Sequence, residues 1–154
     1  TQMSSAGVAT PLGRSSFTDG WDGYPVARER LLGAIAQAQL KDVLVLGGDV
    51  HMNVAAHLRV RPNDEKSPVV ASELVTTSIT SRGLSETLLA QIRDNNPDIV
   101  HARADERGYT LVEVQAQGVQ AQMRATPHPA MPDSPLRTQA QWALASGVPT
   151  WTKA

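Results

Sequence analysis

The stretch Val43-Leu44-Val45-Leu46-Gly47-Gly48-Asp49-Val50-His51 decides how the rest of the chain is read. Its first four residues are an unbroken aliphatic and β-branched run ended by two glycines. That is the form of a strand buried on both faces which then enters a tight loop. Asp49 and His51 follow at the C-terminal end of this strand, where open α/β sheets hold their ligands. A carboxylate and an imidazole two residues apart deliver two metal donors to one cavity. The glycines before them let the backbone turn tightly and approach an anion with no Cβ in the way. The plain alternative is an aspartate capping a turn and a histidine hydrogen-bonded at a strand end, and Asp-x-His alone does not choose between them.

Working outward, Val26, Leu31, Leu32, Ile35, Ala36 and Leu40 recur at helical spacing after Pro25, which a first helical turn tolerates. A helix from Pro25 to about Ala38 follows. Upstream, residues 1–18 are rich in Ser, Gly, Thr and Pro without periodicity and read as a loop or a linker from something preceding it. Downstream, Val54 to Val60 reads as a strand, 61–67 as an exposed turn, and the first part of Val69 to Thr80 as another strand. Ser85 is placed to cap a helix through Leu88, Leu89 and Ile92 that stops at Asn95-Asn96-Pro97. Ile99–Ala104, Gly108–Val114 and Val119–Ala125 alternate as antiparallel strands, the last two joined in a hairpin by Gln117-Gly118. The proline-rich 127–135 segment is a loop or extended crossing segment. Residues 136–145 read equally as strand or short helix.

Composition narrows the function classes. The chain has 154 residues, 41% hydrophobic and 19% charged, which suits a folded globular domain rather than a disordered one. Net charge is −1 with acidic and basic residues interspersed, so there is no basic stripe for nucleic acid or an anionic membrane. No segment reaches the apolar length of a membrane span. The absence of cysteine excludes disulfides, thiolate zinc sites and a cysteine nucleophile, and leaves the compartment open.

A second cluster, Asp19-Gly20-Trp21-Asp22-Gly23-Tyr24-Pro25, is acidic, aromatic and glycine-rich. Trp21, Asp22 and Tyr24 are candidates to wall a substrate pocket or add oxygen ligands. The alternative makes Asp22 a helix cap with Trp21 packed beside it. Arg107-Gly108-Tyr109 offers a cation for substrate anions, against the alternative of a turn with an exposed arginine. Glu73 lies in a β-prone run where burial demands a partner, so a structural hydrogen bond or salt bridge is expected of it. His57 follows His51 on a shared strand face at most, and nothing around His101 or His128 marks them.

In order along the chain, Trp21-Asp22-Gly23-Tyr24-Pro25 with Arg28, Arg30 and Leu31-Leu32, then Val45-Leu46-Gly47-Gly48-Asp49-Val50-His51, then Glu73 to Ser81, Asn96-Pro97 and Arg107 to Val112 resemble the C-terminal half of the PhoD-like alkaline phosphatases. These belong to the calcineurin-like metallophosphoesterases. The resemblance implies an α/β fold, half of a two-sheet sandwich flanked by helices, with an antiparallel β portion at its C-terminal end. In domain terms, 1–18 would be a loop or linker from a missing N-terminal half, 19–126 the C-terminal part of the phosphoesterase domain, and 127–154 a crossing segment and C-terminal strand or tail. It further implies that Asp49 and His51 are catalytic metal contacts in a dinuclear centre, iron with calcium being the pairing expected. Phosphate monoesters or diesters would be hydrolysed by metal-activated water, in a periplasmic or secreted setting. The family's other metal-ligand motifs are absent from these residues, so a complementary half and inactivity of the chain alone are expected.

Two other readings remain. One is a catalytically silent binding or assembly module, associating through an uncovered sheet and open to forming homo-oligomers. The other is an unrelated α/β domain whose Asp-x-His loop is structural.

Overall fold

The computed structural model describes residues 4–127 and 129–154. His128 therefore lies outside the described residues, as does the beginning of the 1–18 segment. That segment carries a small hairpin of β1 (Ala9–Thr10) and β2 (Gly13–Arg14). After a 3₁₀ turn at Trp21–Gly23 come α1 (Pro25–Gln37), β3 (Leu44–Gly47), β4 (Asn53–Arg59) and β5 (Val69–Val75). Then follow α2 (Glu86–Asn95), β6 (Ile99–Arg103), β7 (Arg107–Gln115), β8 (Gly118–Thr126), β9 (Arg137–Ala145) and β10 (Thr152–Lys153).

Two four-stranded sheets result. The first, mixed, has the order β3-β5-β4-β6, with β3 parallel to β5 and the other pairs antiparallel. The second is an antiparallel meander, β10-β9-β8-β7. Alternation along the strands separates the layers, because successive side chains leave a strand on opposite faces. On β4, Ala55 points into a cluster with Leu74, Ala121, Met123, Trp142 and Trp151 that packs the two sheets together. Its neighbours Val54 and Ala56 pack instead with Val75, Ile99, Ala102 and the α2 residues Leu89 and Ile92. Leu58 meets Ala71 and the α1 residues Leu32 and Ile35. Both helices thus cover the face of the mixed sheet turned away from the meander. Leu32 and Leu89 are fully buried, each contributing about 1.5–3 kcal/mol of apolar transfer.

The helix starts follow the local chemistry. Ser85 caps α2, its hydroxyl accepting from the Leu88 N–H. For α1 the expected cap by Asp22 gives way to another arrangement: Tyr24 occupies the cap position without a side-chain bond, and Pro25 supplies the preorganised first turn. Of the residues 136–145, ambiguous by periodicity, 137–145 form strand because pairing along β8 satisfies their backbone.

The expectation that 43–46 is buried on both faces is corrected. Among the described residues β3 stands at the edge of its sheet, bonded to β5 alone, and Leu46 is 64% exposed. An aliphatic run records that a strand is meant to be covered, and the described residues place no cover over Leu46. No helix among the described residues is long and apolar enough to cross a membrane.

Candidate metal loop at the end of β3

The end of β3 is fixed beside β5 by a bond from the Thr76 N–H to the Gly47 carbonyl at 3.0 Å. The chain then turns through Gly48 to His51. The left-handed backbone positions are not the glycines but Asp49, φ 78°, and His51, φ 54°. Aspartate and histidine are among the few non-glycine residues that enter this region readily, and such conformations gather at functional sites. Asp49 is exposed and His51 half-buried. Among the described residues no hydrogen-bond donor meets the Asp49 carboxylate.

His51 is held firmly. Its Nδ1 lies 2.9 Å from the Arg82 carbonyl oxygen. A carbonyl only accepts, so in the neutral ring Nδ1 carries the proton and Nε2 presents a bare lone pair. Carbonyl-anchored imidazoles of this kind are the usual form of metal-bound histidine.

Arg107 sits behind this loop. It is 4% exposed, and its Nη1 donates to the carbonyls of His51 at 3.1 Å and Ser81 at 2.6 Å and to Ser78 Oγ at 2.9 Å. Its Nη2 donates to the Ala104 carbonyl. Burial pulls the guanidinium pKa below its ordinary value, and the nearby Asp105 works against that. Most of these donors face backbone carbonyls, and Arg107 also lines an open cavity with Thr80, Arg82, Asp105 and Pro127. Gly83 belongs to the same knot: a Cβ there would come within 2.3 Å of the Ala104 carbonyl oxygen and 2.6 Å of that of His51.

A polar layer between the sheets continues from the loop. Asn53, fully buried, accepts from the Thr77 N–H at 3.0 Å and donates to Gln139 Oε1 at 3.0 Å. Gln139 Oε1 also takes His101 Nε2 at 3.3 Å, while Gln139 Nε2 donates to Glu106 Oε2 at 2.8 Å. Arg137 bonds Glu106 Oε1. Burial opposes ionisation of Glu106, but the bonds from Gln139 and Arg137 outweigh it and set its pKa below the usual glutamate value.

The other sequence candidates find different partners. Asp22 accepts from the Ala6 N–H at 3.0 Å and the Ser5 hydroxyl at 3.3 Å, and pairs with buried Arg28 at 2.9 Å. Trp21 packs on the α1 cluster of Leu32, Ile35, Leu58 and Ala71, and Tyr24 is 65% exposed. None of these contacts reaches the 49–51 loop. Glu73 is fully buried and accepts from the Ser4 N–H at 2.9 Å. His57 Nε2 accepts from the Trp151 N–H at 3.0 Å, which engages the lone pair a metal would need. Among the described residues no group of three or more His, Cys, Asp or Glu side chains is placed to hold a metal, so this loop offers the pair Asp49 and His51.

Sequence reasoning did not find the Arg82 carbonyl, Asn53 or Gly83. A backbone acceptor leaves no mark in residue identity, though an asparagine two residues beyond His51 in a strand-forming run was a signal that buried polarity needed a partner.

Comparison with known proteins agrees along the chain. The family model described as PhoD-like phosphatase matches residues 1–123. Alkaline phosphatase D of Bacillus subtilis (strain 168) is 37% identical over 127 residues, 80% of this chain and 22% of that protein. A solved structure of PhoD superposes with a TM-score of 0.88 at 31% identity, covering 99% of this chain and 30% of that one. The chain thus spans less than a third of either relative. With the family model matching residues 1–123 and the structural likeness running over 99% of the chain, this chain belongs to the PhoD-like phosphatase family.

Proposed function

We propose that this chain supplies one sheet pair and one metal loop of a metal-dependent phosphoesterase, acting on phosphate monoesters or diesters, whose remaining ligands come from a complementary part. The observation that carries the reading is the Nδ1 bond from His51 to the Arg82 carbonyl, which leaves Nε2 free on the same turn as an exposed carboxylate. A hard oxygen donor beside an imidazole fits a divalent or trivalent ion, iron and calcium being the pair the resemblance suggests. When bound, such an ion polarises the phosphoryl group and makes water a nucleophile near neutral pH. Asp49 and His51 would hold it, and the carbonyl anchor would keep the imidazole in the binding tautomer. Two protein donors are too few for a well-held site, so the isolated chain is expected to turn over little substrate. Its exposed β3 edge, with Leu46 bare, supports pairing with that complementary part. A periplasmic or secreted setting belongs to the same proposal and rests on family resemblance.

Phosphate release from a chromogenic monoester and a chromogenic diester, by the chain alone and with a supplied N-terminal half of the family, tests this. Metal-dependent turnover by the pair, lost in Asp49→Asn and His51→Gln, is expected. No turnover by the pair refutes the phosphoesterase reading, and appreciable turnover by the chain alone refutes incompleteness. The same bare edge favours a second reading, an assembly module, which light scattering over a concentration series tests: a monodisperse monomer counts against it.

A further inference from the structure

The carbonyls of His51, Ser81 and Ala104 belong to three separate segments and converge on one buried guanidinium. Carbonyl oxygens that close repel one another unless a donor stands between them, and only a planar cation with a rigid fork of donors serves several at once. Ser81 directly precedes Arg82, whose carbonyl receives the His51 ring proton. The 78–82 loop is further tied down by Ser78 Oγ donating to the Ser81 carbonyl at 2.5 Å and by Gly108 N–H donating to the Ser78 carbonyl at 3.2 Å.

We infer that Arg107 is a positioning residue for His51: one guanidinium grips both the backbone of His51 and the loop whose carbonyl fixes its tautomer, and so sets where Nε2 is presented. This deepens the reading of His51 as a metal donor and rests on it. It stands beside the expectation that Arg107 meets substrate anions, since Nη1 bonds three protein oxygens and Nη2 bonds one. Removing the guanidinium frees the 78–82 loop, loosens the Arg82 carbonyl and lets the ring proton redistribute between Nδ1 and Nε2. A proton on Nε2 blocks the lone pair that binds metal.

The test uses the ¹⁵N-labelled chain at about pH 8, above the ordinary imidazole pKa of about 6.5. Ring nitrogen shifts report the tautomer, and Mn²⁺ broadening of the Asp49 and His51 signals reports binding. In the parent chain His51 is expected as the single Nδ1–H tautomer. In Arg107→Gln a mixture appears and Mn²⁺ binding weakens by about 10- to 100-fold, the usual cost of losing an outer-shell partner. Arg107→Lys, which keeps the charge without the fork, falls between. A folded Arg107→Gln chain with an unchanged tautomer overturns the inference. If that variant does not fold, Arg107→Lys and Ser78→Ala carry the test, and an unchanged tautomer in both overturns it. Mn²⁺ that broadens neither Asp49 nor His51 in the parent chain paired with an N-terminal half of the family sinks the metal reading instead, while the tautomer comparison still decides the role of Arg107.

Discussion

Replacing Asn53 by alanine should destabilise the chain by about 1.5–4.5 kcal/mol, through hydrogen bonds alone. The side chain is fully buried, takes the Thr77 N–H at 3.0 Å and gives an N–H to Gln139 at 3.0 Å. Truncation orphans the Thr77 N–H, itself buried, at about 1–3 kcal/mol for an unmatched donor. Gln139 loses one donor but keeps His101, so its share is an ordinary net hydrogen bond, about 0.5–1.5 kcal/mol. The sum is a sizeable part of the roughly 5–15 kcal/mol that holds a domain together. Urea unfolding followed by the fluorescence of Trp142 and Trp151, both packed between the sheets, measures it directly. Asn53→Leu separates causes, because it restores volume without an acceptor and should remain destabilised. A loss under about 0.5 kcal/mol in Asn53→Ala, the range of indifferent surface changes, would refute the reasoning, as would a neutral Asn53→Leu.

Three further outcomes follow from other contacts. Asp22→Ala removes the partner of buried Arg28 and the acceptor for the Ala6 N–H, and should cost about 3–5 kcal/mol in the same urea experiment; an unaffected midpoint would show that the pair is not structural. Gly83→Ala drives a Cβ against the Ala104 and His51 carbonyls, so the backbone must move, at about 1–3 kcal/mol, with amide shifts at 51 and 104; unmoved amides would contradict the crowding. His57 has its pKa lowered, mainly by burial, with Asp98 opposing and Arg59 adding to the effect. Its folded pKa therefore lies below its unfolded one, and its contribution is present above about pH 6.5 and lost as pH falls through the folded value. Stability should drop as pH falls below about 6.5, and less so in His57→Gln; equal drops would rule His57 out as the cause.

Much of this fold was legible because periodicity and punctuation agree. Pro25 before an amphipathic run, Ser85 before Leu88 and Leu89, and the alternation from Ile99 to Ala125 each correspond to an observed element. The strand at 137–145 was not legible, since its sequence, Arg-Thr-Gln-Ala-Gln-Trp-Ala-Leu-Ala, suits either period and tertiary pairing with β8 decides. Edge position also escaped, because an aliphatic run says nothing of how many neighbours a strand has. The loop at Asp49 and His51 was readable as residue chemistry, but its glycines misled: the strained positions are the aspartate and histidine themselves. Trp21 and Asp22 stood near the loop in the motif order, yet side-chain chemistry tied one to the α1 core and the other to Arg28. Arg107 was readable as a cation and not as a buried one, since burial of a charge depends on carbonyls brought from distant segments.

The most direct measurement is the place of the metal. In crystals of this chain with a complementary N-terminal half grown with Mn²⁺, an anomalous-scattering peak is expected within roughly 2.0–2.6 Å of an Asp49 carboxylate oxygen and of His51 Nε2. A peak bound elsewhere, or one reached through Nδ1 of His51, would contradict this placement.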